Sequence, residues 1–148
     1  MGCFVMRWPS LGLQVRCKSL DVNADAFDLL VENMPIKSLQ GHEMVGGWLL
    51  RDRSVLFNKT LFTIPSCKLH KETMDTAPVG RVSLLQPQGR GAELLVKYDE
   101  SVENREYVPV AQVVETDLET LKKVGKEQWK ATSRTRDIIF VELVKEDV

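Results

Sequence analysis

The feature that most constrains the fold is the order of segments in the last third of the chain, residues 91–148. Two strand-like apolar runs come first, then a short helix with an acidic start, then a closing strand-like run, at residues 93–98, 108–114, 116–124 and 137–144. This order predicts a mainly β protein, a small closed barrel with few helices. The interior of such a barrel either packs solid or holds a ligand.

The first part of the chain fits the same prediction. Residues 11–17 alternate apolar and polar side chains, which is the period of a half-buried strand. A helix follows, with Asn23 as its predicted N-cap, and Phe27, Leu30 and Val31 share one apolar face. Pro35 ends the helix, because the residue before a proline is pushed out of the helical region. At 148 residues the chain has the size of one domain, and we expect residues 1–10 to form a ragged extension.

Further strands are predicted between this helix and the last third. The segments are 44–50, with a glycine pair inside, and 55–57, 60–64 and 80–85. Turns are predicted at 58–59 and 86–91, and residues 66–78 form the longest polar connection. The total is seven or eight strands and two helices.

Composition excludes several classes of function. A formal net charge of -1 gives no electrostatic reason to expect a nucleic acid or an anionic membrane as partner. No apolar run approaches the roughly 20 residues that cross a bilayer. Three cysteines without a Cys-x-x-Cys pair argue against a disulfide framework, so we expect a cytoplasmic location.

The sequence also gives no sign of a cofactor or a metal. It lacks a phosphate-binding loop, a dinucleotide fingerprint and a nucleophile elbow. His42 and His70 are its only histidines, and neither belongs to a cluster with metal-ligand spacing. We therefore expect no cofactor and no metal site.

Two phrases carry a resemblance to a known family. Residues 30–38 read Leu-Val-Glu-Asn-Met-Pro-Ile-Lys-Ser, and residues 107–114 read Tyr-Val-Pro-Val-Ala-Gln-Val-Val before the helix of residues 116–124. In these phrases the chain resembles the small bacterial and archaeal cyclophilin-like proteins. The resemblance implies a closed barrel of about eight strands, two flanking helices and one concave binding surface. The Phe-His-Arg and Gln-Gly-Gly-Asp phrases of the classical prolyl isomerases are absent, so that activity is not implied.

His42 and Glu43 are the strongest candidates for catalysis. A histidine exchanges protons near neutral pH, and a neighbouring carboxylate can orient it or raise its pKa. Adjacent residues of a regular strand point to opposite faces, so both side chains would not enter one cavity. The alternative is a surface histidine in a polar turn, which residue statistics favour.

Four further side chains are candidates for substrate binding. Trp48, Tyr98 and Tyr107 are large amphipathic residues at strand positions, and together they would make an aromatic wall for an apolar or planar ligand. The alternative is that they belong to the barrel core. Arg105 lies in a charged connection that is typical of a solvated loop, although an inward-turned arginine would bind a carboxylate with two parallel hydrogen bonds.

These observations favour a barrel that binds a small organic molecule and transforms it without a cofactor, by isomerase, cyclase or lyase chemistry. His42 would carry the proton, and Glu43 or Arg105 would anchor the substrate. The alternative is a non-catalytic module that binds a peptide or protein in its groove, with a prolyl isomerase as a less favoured third reading. The expected partner is a small-molecule ligand, and a homodimer stays open.

Overall fold

The computed structural model describes residues 2–55, 64–85 and 92–146, without the side chains of 53–55. Within these ranges the chain forms nine strands, all paired antiparallel. They are β1 (Cys3–Trp8), β2 (Leu13–Ser19), β3 (Ile36–His42), β4 (Gly47–Val55), β5 (Glu72–Thr73), β6 (Arg81–Leu85), β7 (Ala92–Ser101), β8 (Glu106–Val113) and β9 (Ile139–Lys145). The segments predicted at 56–63 and 86–91 lie outside the described residues.

Eight of these strands close into a barrel. Their order is β2-β1-β9-β3-β4-β7-β6-β8, and β8 pairs back onto β2 through the partners Cys17 and Val113. The short strand β5 is extra and pairs with β8 on the outside. The predicted mainly β fold, a closed barrel of about eight strands with two helices, is therefore confirmed.

The N-terminal prediction was wrong for most of its residues. Cys3–Trp8 form β1, which pairs with β2 on one side and with β9 on the other. Phe4, Met6 and Trp8 alternate into the core and have no exposed surface. The alternation of buried and more exposed residues along this segment has the period of two that is typical of a half-buried strand.

Two α-helices cover opposite ends of the barrel. The first, α1 (Ala24–Glu32), packs Phe27 against Phe4 with ring centroids 5.9 Å apart. The second, α2 (Leu118–Lys130), buries one face against the end where β3 finishes, formed by the apolar Leu121 and Val124 with Gly125 and Gln128. A short 3₁₀ turn at Glu115–Asp117 precedes α2, and a π-type turn at Ala131–Thr135 follows it.

The predicted N-cap Asn23 does not cap α1 with its side chain. Its backbone is left-handed, with φ 57°, and its side-chain amide donates to the carbonyl oxygens of His70 and Pro109 instead. The amide oxygen also accepts a bond from the His70 N–H at 2.8 Å. Asn23 therefore fastens the connection before β5 to the barrel.

Side chains fill the barrel interior in the described part of the chain. Alternate residues of every barrel strand point inward and are almost fully buried, for example Met6, Leu50, Val96, Val110 and Val141. A ligand therefore has its access at an end of the barrel or on its outer face. No helix among the described residues has the length and apolar character needed to span a membrane.

Candidate functional site

Four aromatic rings meet at the barrel end that α2 covers. The centroid of the His42 ring lies 4.8 Å, 5.5 Å and 5.9 Å from those of its three neighbours, each contact being edge-to-face. We call this group the aromatic cluster; it consists of His42, Trp48, Tyr98 and Trp129. Edge-to-face contacts of this kind contribute roughly 0.5–1.5 kcal/mol each beyond the burial of their area.

The alternation of the strands explains how these side chains converge. His42 is the last residue of β3 and points inward after Ser38 and Gln40. Trp48 near the start of β4 and Tyr98 in β7 point to the same side of their neighbouring strands. Helix α2 adds Trp129, and it approaches the barrel closely because Gly125 has no side chain where the Tyr98 ring lies.

The hydrogen bonds of His42 fix the position of its proton. Its Nδ1 lies 2.7 Å from the carbonyl oxygen of Glu43, and its Nε2 lies 2.6 Å from the hydroxyl oxygen of Tyr98. A carbonyl oxygen only accepts, so Nδ1 carries the proton. In the neutral ring Nε2 is then an acceptor, and the Tyr98 hydroxyl donates to it.

Burial keeps both partners of this bond neutral. Desolvation lowers the pKa of His42, against a smaller opposing effect of the Glu43 carbonyl and carboxylate. Desolvation, followed by the nearby charge of Asp99, raises the pKa of Tyr98 above its usual value. The pair therefore presents a neutral imidazole and a neutral phenol at neutral pH, a proton acceptor joined to a proton donor.

The aromatic cluster reaches the surface through Trp48, which is 41% exposed. Next to it the turn between β3 and β4 leaves Met44 and Val45 exposed, at 66% and 85%. The carbonyl oxygen of Gly46 in this turn accepts a bond from the N–H of Val102, whose side chain is 77% exposed. Exposed apolar side chains thus lie on and beside the turn that precedes Trp48.

A chain of polar side chains runs from the core to the surface beside the cluster. The Trp8 indole N–H donates to Oε1 of Gln40 at 2.7 Å, and Nε2 of Gln40 donates to Oε1 of Gln128 at 3.0 Å. Gln128 in turn donates to the Thr132 hydroxyl at 3.1 Å. These bonds satisfy buried amides that would otherwise cost about 1–3 kcal/mol each, and they fix Gln40 beside His42.

One buried carboxyl group next to these polar side chains has no hydrogen-bond partner among the described residues. Asp52 in β4 has no exposed surface, and neither of its carboxyl oxygens has a hydrogen-bond partner among the described residues. Burial raises its pKa from 3.8 to about 8. Asp52 pairs in register with Gln40, while Leu50 pairs with His42. Such diagonal positions place Cβ atoms roughly 7–8 Å apart, so Asp52 lies within reach of the His42 region.

Asp52 and Trp129 are the two site residues that the sequence reasoning missed. Asp52 stands between Arg51 and Arg53, a charged triplet that is typical of an exposed segment. The pattern that predicts an inward-facing Asp52 is the alternation of side chains along a strand, because Asp52 comes two residues after the inward-facing Leu50. Trp129 follows Leu121 and Gly125 at helical spacing, but the helix predicted at 116–124 ended before it.

The structure places Glu43, Arg105 and Tyr107 outside the aromatic cluster. Glu43 lies on the outer face and forms an ion pair with Arg51, with Oε2 3.2 Å from Nη1. Arg105 is exposed, and its backbone N–H donates to Glu103. Tyr107 packs into a second, smaller core on the outer face, with Leu49, Met74, Ala77 and Leu95.

The described residues contain no cluster of three metal-ligating side chains. Cys17 is fully buried in the core, and burial raises the pKa of its thiol, so this cysteine stays protonated. Among the described residues, His42, Tyr98 and Asp52 are the buried titratable groups in or beside the cluster, while Glu43 and Asp99 lie nearby and are partly exposed.

Fold and site together define a small closed β-barrel with a histidine-centred aromatic cluster at one end. No family model matches the chain, and no curated protein matches it. A solved structure of McbB in complex with tryptophan is similar, with 29% sequence identity and a TM-score of 0.83. The match covers 98% of this chain and 46% of that chain, so this chain spans about half the length of its structural neighbour. Membership of the cyclophilin-like family stays a prediction.

Proposed function

We propose that this barrel binds a small planar organic molecule at the aromatic cluster and moves a proton on it. The observation that carries the proposal is the bond from the Tyr98 hydroxyl to Nε2 of His42 inside a group of four rings that opens to the surface at Trp48. The similar solved structure, a complex with tryptophan, supports a planar ligand with an aromatic ring.

The cluster provides binding through apolar contact. The rings of Trp48 and Trp129, with centroids 5.7 Å apart, are both partly exposed, and a flat ligand could stack on the exposed face of Trp48. The exposed side chains of Met44, Val45 and Val102 extend this apolar surface. Together they exclude water from a bound ring, which strengthens every polar interaction beneath it.

Proton transfer would pass through His42. Because Nδ1 is held by the Glu43 carbonyl, Nε2 is the atom that accepts a proton, and Tyr98 is positioned to donate to it or to the ligand. Asp52 is a carboxylic acid at neutral pH, so it adds a second proton donor on the inner side. The reaction class is an isomerisation, cyclisation or elimination that needs one acid and one base.

Binding can be tested with L-tryptophan and indole as probes, by isothermal titration calorimetry. We expect Trp48→Ala to weaken binding at least tenfold, because the ring forms the exposed wall of the site. Phe140→Ala is the matched control, since Phe140 is 43% exposed on another face and should not contribute. Equal affinity in the two variants, or no binding of either probe to the native chain, would argue against the site.

Catalysis can be tested by deuterium incorporation from D₂O into any ligand that binds, followed by ¹H NMR. We expect incorporation by the native chain and at least a hundredfold slower exchange in His42→Gln, since general acid-base catalysis contributes roughly 10²–10⁴. Incorporation at the native rate in His42→Gln would remove His42 from the mechanism.

The exposed apolar side chains around Trp48 also favour a second candidate function, a module that binds a peptide or protein. Met44, Val45 and Val102 are more exposed than is usual for side chains of their size. A probe that binds at Trp48 without any deuterium incorporation, together with a peptide that competes for the site, would support this alternative.

A further inference from the structure

A second concave site lies on a different part of the barrel from the aromatic cluster. It is a cleft of about 410 Å³ between the ends of β6 and β8 and the connection that precedes β5. This volume lies within the usual range for small-molecule sites, near its lower limit. The cleft shares no lining residue with the aromatic cluster, so its function is independent of the one proposed above.

One part of the cleft wall is aliphatic, and the rest is polar. Leu84 and Val108 are buried residues of the main core, and the partly buried Ile64 and Leu69 pack against that core. Leu85 packs against the smaller outer core from the same strand. A branched aliphatic group therefore fits these walls better than a charged one.

The connection that forms one side of the cleft is held in place. Asn23 makes two hydrogen bonds to the backbone of His70, at 2.9 Å and 2.8 Å, and a third to Pro109 in β8. Strand β5 adds an ion pair between Glu72 and Arg81, with Oε1 2.6 Å from Nε. The cleft is thus fixed before any ligand arrives, which lowers the entropic cost of binding.

Two opposite charges line the cleft without an ion-pair partner in the described part of the chain. Nζ of Lys71 donates to the Ser66 hydroxyl at 2.9 Å and has no described carboxylate within 4.0 Å. Glu106 likewise has no described cation within 4.0 Å. Both charges line the same cleft and are not paired with each other, so a molecule that carries both charges could pair with each of them.

We propose that this cleft binds a small zwitterion with an aliphatic side chain, such as a free branched-chain amino acid. The carboxylate would accept from the Lys71 ammonium and the Ser66 hydroxyl, and the ammonium would donate to the Glu106 carboxylate. The side chain would lie against Leu69, Leu84 and Val108. A charged hydrogen bond is stronger than a neutral one, so both charges of the ligand contribute.

The test uses L-leucine and two analogues that each lack one charge, 4-methylpentanoate and 3-methylbutylamine. Binding is followed by shifts of the backbone amide signals of Leu69, Leu84 and Val108 in ¹H–¹⁵N spectra. We expect leucine to bind at least fivefold more tightly than either analogue. Equal affinity of leucine and 4-methylpentanoate would overturn the proposal. So would the absence of any shift at a leucine concentration of about 20 mM, which is high enough to detect weak binding.

Variants separate the two charges. Lys71→Gln should weaken the binding of leucine at least fivefold and leave the affinity for 3-methylbutylamine unchanged. Glu106→Gln should weaken the binding of leucine and leave the affinity for 4-methylpentanoate unchanged. Lys68→Gln, a change at an exposed lysine outside the cleft, is the matched control. Unchanged leucine affinity in Lys71→Gln, with a native melting temperature, would contradict the proposed contact.

Discussion

The hydroxyl group of Tyr98 donates a hydrogen bond to Nε2 of His42 across a distance of 2.6 Å. The two residues stand 56 positions apart and come from β7 and β3, which are separated in the barrel by β4. Nδ1 of His42 is bonded to a backbone carbonyl oxygen, so the ring is the tautomer that carries its proton on Nδ1 and accepts the Tyr98 bond at Nε2. The pair is the polar centre of an otherwise aromatic surface.

Replacing Tyr98 by phenylalanine should raise the pKa of His42. The donated bond stabilises the neutral imidazole, so its loss makes protonation easier. The free energy of unfolding should fall by about 1 kcal/mol, the usual net value of one buried hydrogen bond. NMR titration of the His42 ring nitrogens measures the pKa, and urea unfolding measures the stability.

Tyr107→Phe is the control for this change. Tyr107 lies in the outer core and makes no ring contact with His42, so His42 should titrate as in the native chain. The same His42 pKa in Tyr98→Phe and in the native chain would show that the bond does not hold the proton as inferred.

Much of this end of the barrel follows from the alternation of side chains along strands. The sequence predicted that His42 and Glu43 face opposite sides, and the structure confirms it, with Glu43 paired to Arg51 outside. The contact partners of His42 were less accessible to sequence reasoning. Which strands become neighbours depends on closure of the barrel, and no local pattern encodes that order.

The burial of charged residues is the second feature that could not be predicted from the sequence. Asp52 looks exposed in the sequence because two arginines flank it, yet it is fully buried. Arg105 directly precedes β8 and Tyr107 belongs to this strand, which reaches the core, but the register turns Tyr107 to the outer face. Burial of this kind is decided by tertiary packing, which overrides the preference of a residue type for the surface.

Asp52→Asn should make the protein more stable at neutral pH and less sensitive to pH. The pKa of Asp52 is about 8 in the folded state and near 3.8 when exposed, so between these values the folded state holds a proton that the unfolded state has lost. The contribution of Asp52 to the free energy of unfolding is fully present below pH 3.8. It is lost as pH rises to about 8, by at most about 1.4 kcal/mol per pH unit. Asparagine has nearly the same size and does not ionise.

Urea unfolding at pH 5, 7 and 9 measures this difference. The native chain should lose stability relative to the variant between pH 5 and 8, and the two should run parallel above that range. An identical pH dependence in both proteins would mean that Asp52 does not keep its proton on folding.

Lys97→Met should loosen the segment that covers the outer core. Nζ of Lys97 is nearly buried and donates to the carbonyl oxygens of Met74 and Ala77, at 2.6 Å and 2.7 Å. Methionine fills similar space but leaves both carbonyls without this donor, at a cost of roughly 1–3 kcal/mol. Hydrogen exchange of the Ala77 amide, which bonds to the Thr73 carbonyl, should become faster.

Lys122→Met is the matched control for that prediction. Lys122 is half-exposed and lies 3.6 Å from Asp99, an exposed ion pair of the kind that contributes at most about 1 kcal/mol. Its removal should leave exchange at Ala77 unchanged. Equal protection of Ala77 in Lys97→Met and in the native chain would show that the ammonium does not hold the segment.

Gly125→Ala should destabilise the protein although alanine is the better helix former. Alanine is favoured over glycine by about 1 kcal/mol within a helix. A Cβ at this position of α2, however, would overlap the ring atoms of Tyr98. The ring or the helix must then move, which typically costs about 1–3 kcal/mol and would lengthen the bond from Tyr98 to His42.

Lys126→Ala, at the exposed next position of α2, supplies the comparison, because it changes helix propensity without a contact to the barrel. Urea unfolding of both variants separates the effects: a Gly125→Ala protein at least as stable as the native chain would mean that α2 does not depend on this close approach.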